Sequence, residues 1–322
     1  DADDLAQVLA VRDQCAVLIT SRRRKDAVAQ RQDMDLLPVE DAMALLQAWA
    51  GPWATDQAAV RRICDLLGGP PLALRLVGRC LAQQGWHAHE YLLWLEETPL
   101  VALHQGRRRP ESVPILLQRS VDQVSNEART ALSLVGQLAM SFFDPNVVAH
   151  GLNETRIAAQ RALGELVDYG LLQRHVDGYE VSHALVHTYA RGSLAPDSPR
   201  IERISQYYVE RMAQHEGSLA ELGVIRPHVV ALLNTAIERQ AWRLASELAA
   251  ASERYLHLQG FWTDLTAIAQ TGLDAARRLG DRTAAGGHLY WLAIVRCNQG
   301  EYEPAVEACQ QALTVVRETG QR

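Results

Sequence analysis

The sequence predicts a mainly α-helical protein with one strand and one small hairpin as its β-structure. Across most of the 322 residues, apolar side chains recur at helical spacing between glycine and proline stops. Asp177-Gly178, flanked by short apolar runs, predicts a single β-hairpin. Gln259-Gly260 recurs as Gln299-Gly300 after 40 residues. Such a fixed period predicts stacked helical hairpins, each of which buries an apolar face on its neighbour.

Residues 15–20 form a continuous apolar run, which predicts a strand buried on both faces, as in a parallel sheet. No partner strand is predicted elsewhere, so we expect a preceding segment to have supplied the rest of that sheet. A phosphate-binding loop needs Gly-Lys at the start of a helix. The single lysine, Lys25, follows Arg24. The sequence therefore excludes a phosphate-binding loop in this chain, and we expect no independent ATPase activity.

Four helices are predicted next. The first begins after Leu37-Pro38, and Thr55 or Asp56 caps the second. Gly68-Gly69 ends the second helix and Pro70-Pro71 opens the third. The fourth covers residues 90–96.

After a linker at 106–110, helices are predicted at 112–123, at 126–139, after Asp144-Pro145 and at 154–169. Gly170 ends the last of these, and a hairpin over 171–181 follows it. The last three of these helices, followed by one small hairpin, have the element order of a winged helix-turn-helix. A further helix runs from His183 to Arg191.

Everything beyond a linker at 193–200 is predicted to be helical. Gly300–Ala308 and Ala312–Val316 resemble the second helix of a tetratricopeptide repeat. A solenoid exposes one face, so its aromatic residues are candidates for binding a protein or peptide ligand. Packing between helices explains the same residues equally well. The candidates are Trp262, Tyr290, Trp291 and Tyr302.

This order of segments resembles that of NB-ARC proteins, a group of STAND-class signalling ATPases, with tetratricopeptide repeats appended. The resemblance covers most of the chain. It divides the sequence into the end of a nucleotide-binding domain (1–30), a helical ARC subdomain (31–108), a winged helix (109–192), a helical linker (193–240) and the repeats (241–322).

The resemblance also implies roles for individual residues in an intact protein that binds ADP or ATP with Mg²⁺. Val17–Arg22 is similar to the sensor motif, which assigns Thr20, Ser21 and Arg22 to the terminal phosphate. Gly69, Pro70 and Pro71 match the family's GxP motif, whose second proline lies against adenine. His183 matches a histidine that contacts the β-phosphate of ADP and locks the closed state. Ala184 departs from the aspartate that follows that histidine in the family.

The resemblance implies a nucleotide-controlled switch. ADP would hold the ARC and winged-helix domains against the protein's own nucleotide-binding domain. A ligand on the repeats would release them, and a homo-oligomer would form on activation. The chain itself would be no enzyme and would hold no cofactor alone.

Three alternatives remain open at this stage. A winged helix could read DNA, but the segment 154–169 carries more acidic than basic residues, which argues against nucleic acid as a partner. The chain could be a passive helical scaffold, in which case the motif segments should lie far apart. His183 and His187 are four residues apart and could hold a metal, although no third ligand is evident.

Composition favours a cytoplasmic protein. The formal net charge is −6, the five cysteines form no Cys-x-x-Cys pair, and we expect these cysteines to be buried free thiols. No run of 18 apolar residues predicts a membrane span. The first residues contain no basic region of the kind that opens a signal peptide.

Overall fold

The computed structural model describes residues 37–97, 112–214 and 218–319. The strand predicted at 15–20 and the candidate residues Thr20, Ser21 and Arg22 lie outside these ranges. The described residues confirm a mainly α-helical, solenoid-like fold with one small two-stranded sheet.

Residues 37–97, here called the first helical module, contain four α-helices. These are α1 (Val39–Ala50), α2 (Gln57–Leu67), α3 (Pro71–Gln84) and α4 (Ala88–Glu97), with a 3₁₀ turn at Gly51–Trp53. The predicted boundaries agree closely, because the Asp56 carboxylate accepts the N–H groups of Ala58 and Ala59 and Gly68 ends α2 in the left-handed region. α1 lies so close to α3 that a Cβ added to Gly78 would be 2.5 Å from Cβ of Trp49.

Residues 112–193, here called the hairpin module, follow the element order predicted for a winged helix. The elements are α5 (Ser112–Gln123), α6 (Asn126–Val135), α7 (Pro145–Leu152), α8 (Arg156–Asp168), β1 (Leu172–Arg174), β2 (Tyr179–Val181) and α9 (Ala184–Ser193). The two strands are antiparallel, with Leu172 opposite Val181. Phe143 adds a bridge to Tyr179, so a third extended segment borders the hairpin.

One predicted boundary in this module is wrong. The helix predicted over 126–139 ends at Val135, and the chain turns away over 136–143. The backbone of α9 packs against this turn, since a Cβ added to Gly136 would lie 2.7 Å from the nitrogen of Arg191. Tertiary contacts therefore override the helical pattern of the sequence at this position.

Residues 198–319, here called the helical array, form a series of antiparallel helices. They are α10 (Ser198–Gln214), α11 (Leu219–Glu238), α12 (Trp242–Leu258), α13 (Trp262–Leu279), α14 (Arg282–Asn298) and α15 (Tyr302–Thr319). The repeat of 40 residues is visible in the backbone. Gly260 and Gly300 adopt φ of 70° and 81° at the same place in successive hairpins, a conformation that glycine adopts without strain.

Most buried apolar side chains form a core that extends from Ala42 in α1 to Val295 in α14, and a second, smaller cluster lies between α13 and α14. Cys64 and Cys80 lie within it, as expected, but Cys297 and Cys309 are exposed, so the expectation of buried thiols is wrong for these two. They lie on outward-facing sides of α14 and α15, which the sequence pattern did not distinguish. None of the described helices combines the length and the apolar character that crossing a bilayer requires.

An arginine enclosed by aromatic rings joins the first helical module to the hairpin module. The guanidinium carbon of Arg119, on α5, lies 3.4 Å, 4.9 Å and 5.1 Å from the ring centroids of Trp94, Trp86 and Tyr91. A planar guanidinium can stack on such rings, whereas an ammonium cannot.

We expect Arg119→Lys to lower the free energy of unfolding by about 1–2 kcal/mol, because it keeps the charge and loses the planar contacts. Urea unfolding followed by tryptophan fluorescence measures the change. Arg129→Lys is the control, since Arg129 forms a partly exposed ion pair with Asp122 and should change stability by less than about 0.5 kcal/mol. Equal effects of the two substitutions would show that the aromatic rings contribute nothing specific.

Candidate functional site

The turn between α2 and α3 places the predicted GxP residues. Gly69 is buried with φ of 82°, and Pro70, with φ of −65°, precedes the first residue of α3. Pro71 occupies that first position and its side chain is exposed. Proline suits this place because its missing N–H would have no partner inside the helix. An exposed proline ring at the start of a helix gives an aromatic base an apolar surface to lie on.

His183 lies at the corner between β2 and α9, where it caps the helix. Its Nδ1 atom accepts a hydrogen bond of 3.1 Å from the backbone N–H of Leu185. This bond fixes the tautomer of the neutral ring, because an accepting Nδ1 leaves the proton on Nε2. Burial, and then the positive charge of Arg75, lower the pKa of His183. The side chain remains exposed, so the Nε2–H group is available to a ligand that accepts hydrogen bonds.

Contacts around Gly170 bring α3 and the His183 corner together. The carbonyl of Gly170 accepts a hydrogen bond of 2.8 Å from the hydroxyl of Ser182 and a longer one of 3.5 Å from Nη2 of Arg75. Arg75 follows Pro71 by one helical turn, and Ser182 immediately precedes His183. At the other end of α3, Nε2 of Gln84 and the hydroxyl of Tyr169 are 2.5 Å apart. The helix that begins with Pro71 is therefore packed against the corner that carries His183.

His187, which the sequence suggested as a second metal ligand beside His183, has a structural role. Its Nε2–H group donates a hydrogen bond of 2.7 Å to the carbonyl of Leu138, which fixes the turn after α6. Nδ1 of His183 is also occupied, by the cap of α9. Among residues 37–97, 112–214 and 218–319, no group of three or more His, Cys, Asp or Glu side chains is placed to hold a metal ion.

The aromatic candidates in the helical array fall into two kinds. Trp262 and Trp291 are half-buried against the core, and the ring of His257 lies between them, 5.6 Å and 5.4 Å from their centroids. Tyr290 contacts Trp291 at 5.5 Å but is 55 % exposed, and Tyr302 is 68 % exposed. Packing between helices accounts for the position of the two half-buried tryptophans. The two exposed tyrosines remain candidates for contact with a partner.

Sequence reasoning missed two other groups of polar residues. The first is the pair Arg75 and Arg79 on α3, whose spacing of four residues is a visible signal for one helix face. The second is a chain of hydrogen bonds in the helical array. The Ser246 hydroxyl lies 3.0 Å from Nε2 of His288, and Nδ1 of His288 lies 2.6 Å from the Glu253 carboxylate. These three side chains are at most 5 % exposed, so no substrate can reach them and their role is structural.

Comparison with known proteins finds distant likeness among solved structures. No protein-family model and no curated protein matches the chain. Among solved structures, the chain is similar to a Signal Transduction ATPase with Numerous Domains (STAND) protein with a tetratricopeptide repeat sensor from Pyrococcus horikoshii. The identity is 13%, the TM-score is 0.37, and the match covers 89% of this chain. The chain spans about half of that protein, since 55% of its length is covered.

Proposed function

We propose that this chain is the regulatory part of a nucleotide-controlled signalling switch of the STAND type. In this proposal the first helical module acts as the ARC subdomain and the hairpin module acts as the winged helix. The diphosphate of ADP contacts Nε2–H of His183 and the adenine lies on Pro71, so ADP holds the two modules together. A protein or peptide on the helical array releases this arrangement. Hydrolysis belongs to a nucleotide-binding domain and not to this chain.

The packing of α3 against the His183 corner is the observation that carries the proposal. Arg75 of α3 and Ser182, which precedes His183, share the Gly170 carbonyl between them, so α3 and the cap of α9 are neighbours. The residues also fit the ligand, because His183 presents a fixed N–H donor and Pro71 presents an exposed ring. Ala184 offers no carboxylate beside His183, so the lock would depend on the histidine and its neighbours on α3.

The hairpin module is better suited to this role than to reading DNA. On α8, which would be the recognition helix, the carboxylate of Glu165 accepts hydrogen bonds of 2.7 Å and 2.6 Å from the backbone N–H and hydroxyl of Ser125. An acidic side chain thus forms part of the contact between α8 and the start of α6. Asp168, at the end of α8, adds further negative charge. A DNA-reading surface needs cations to neutralise phosphates.

ADP at millimolar concentration should slow hydrogen exchange in the first turn of α3 and the first turn of α9. The binding should be weak, since apolar contact with adenine and one histidine cannot replace a phosphate-binding loop. His183→Ala should abolish the protection in α9. His175→Ala is the matched control, because His175 is a partly exposed histidine of the same module that pairs with Glu180. Hydrogen exchange with mass spectrometry measures both effects.

Protection that survives His183→Ala, or that appears only outside these two turns, would contradict the nucleotide site. Phosphate release from ATP by the purified chain would contradict the assignment of hydrolysis to another domain. A mobility shift with DNA that depends steeply on salt would favour the DNA-binding alternative.

A further inference from the structure

A pair of arginines on α3 has no anionic partner among the residues that the structure describes. Arg75 and Arg79 are four residues apart on one helix face, where like charges repel each other. Both side chains are half-buried, and the Nε atom of each is buried without a hydrogen-bond partner in the described part of the chain. An unpaired buried donor costs free energy, and a charged one costs more than a neutral one.

The neighbours of the pair supply no compensating negative charge. The Arg79 guanidinium lies 4.5 Å from the ring centroid of Trp49, and Arg75 reaches only the carbonyl of Gly170. Within the described ranges, neither arginine forms an ion pair with a carboxylate, and Glu165 on α8 is bound to Ser125. Burial and then the charge of Arg79 lower the pKa of Arg75, as expected where no carboxylate opposes them.

The backbone of Gly170 lies close to the stems of both arginines. Gly170 has φ of 73°, and a Cβ added to it would lie 3.3 Å from Cγ of Arg79 and 3.9 Å from Nε of Arg75. The two stems therefore pack directly under the backbone of this corner. The Ser182 hydroxyl and the exposed ring of His183 border the same corner. Guanidinium groups and an imidazole N–H therefore border one corner, where no described carboxylate pairs with either arginine.

We propose that Arg75 and Arg79 form a binding site for a phosphate-class anion, here called the seat, at the contact between α3 and the Gly170–His183 corner. This inference rests on the proposed function and deepens it, because it makes the α3 arginines, and not His183 alone, the source of positive charge for the diphosphate. The ligand class is a diphosphate, either inorganic or as the phosphate part of a nucleotide. Arginine suits this class because its planar fork matches phosphate oxygens in pairs.

Binding of inorganic pyrophosphate to the whole chain, measured by isothermal titration calorimetry at low ionic strength, tests the seat. Arg75→Gln and Arg79→Gln should each weaken binding about tenfold or more, because each removes charged hydrogen bonds to the anion. Arg61→Gln is the control, since Arg61 is an exposed arginine of α2 that pairs with Glu40, and it should change binding less than twofold. Thermal melting of each variant establishes that it is folded. If a glutamine variant fails to fold, Arg75→Lys is the alternative. It retains the positive charge but lacks the planar guanidinium, so it should bind pyrophosphate with an intermediate affinity.

A parallel titration with ADP separates the seat from the nucleotide switch. Pyrophosphate binding that needs both arginines, together with ADP binding that is no tighter, would support the seat and reject the adenine contact of the proposed function. ADP binding that needs His183 and is unchanged in Arg75→Gln and Arg79→Gln would overturn the seat and leave the switch standing. Absence of pyrophosphate binding at millimolar concentration, or equal binding by all variants, would also overturn it.

Discussion

His288→Ala is expected to lower the free energy of unfolding by about 3–5 kcal/mol, because it leaves a buried carboxylate without its partner. His288 and Glu253 are 1 % and 2 % exposed, and their side chains are 2.6 Å apart. Burial raises the pKa of Glu253, and the hydrogen bond from His288 opposes that rise. Without the imidazole, nothing described near this carboxylate favours its charge. Urea unfolding near neutral pH measures the loss.

The pH dependence and a double variant separate this effect from simple cavity formation. A raised pKa in the folded state means that the stability contribution of Glu253 is lost as pH rises through that pKa. The deficit of His288→Ala should therefore be larger at pH 8 than at pH 5. The variant with both His288→Leu and Glu253→Leu should recover most of the loss, because apolar residues often replace buried ion pairs without cost. A deficit independent of pH, or a double variant that recovers no stability, would mean that the unpaired carboxylate is not the source of the loss.

The 40-residue period predicts where the helices of the array lie but not this polar network. Leu248 occupies the position of His288 in the preceding hairpin, and Ala293 occupies the position of Glu253 in the following one. The hydrophobic pattern therefore describes both sites as ordinary core positions. Gly272 leaves the room that the His288 ring occupies, since a Cβ there would lie 2.4 Å from the ring. This contact joins two successive helices, α13 and α14, through side-chain volume, and the hydrophobic period does not contain it.

The candidate site shows the same difference between local patterns, which the sequence predicts, and tertiary contacts, which it does not. Local signals place its parts correctly, because Gly69 to Pro71 can only form a turn and a helix start, and His183 follows a strand at a helix cap. The sequence could not show that α3 packs against the corner that carries His183. Their contact depends on Gly170, whose carbonyl receives Arg75 and Ser182 from different modules. Arg75 was missed for this reason: on the sequence alone it is one more charged residue on an amphipathic helix.

His228→Ala is expected to lower the free energy of unfolding by about 2–4 kcal/mol and to loosen the contact between the helical array and the hairpin module. His228, on α11, is 1 % exposed. Its Nδ1 accepts a hydrogen bond of 3.3 Å from the N–H of Ala139, and its Nε2–H donates one of 2.8 Å to the carbonyl of Phe142. The substitution leaves both partly buried backbone groups without these partners. Hydrogen exchange over residues 136–143 should accelerate together with the loss of global stability.

Acid should act on the same contact in the wild-type chain, because only the neutral ring can both accept at Nδ1 and donate at Nε2. Burial lowers the pKa of His228 from 6.5, and the bond to Phe142 only partly opposes this. The surrounding groups are the stacked ring of Tyr208, 5.3 Å away, and the Ser141 hydroxyl, neither of which carries a charge that would hold a proton on the ring. A depressed pKa gives stability that is present above 6.5 and is lost as pH falls through the folded-state value. The difference in unfolding free energy between wild type and His228→Leu should therefore shrink from pH 7.5 to pH 5, since leucine cannot titrate and the other histidines are common to both chains. A constant difference over this range would show that the pKa of His228 is the same in the folded and the unfolded chain, which would contradict the lowered pKa.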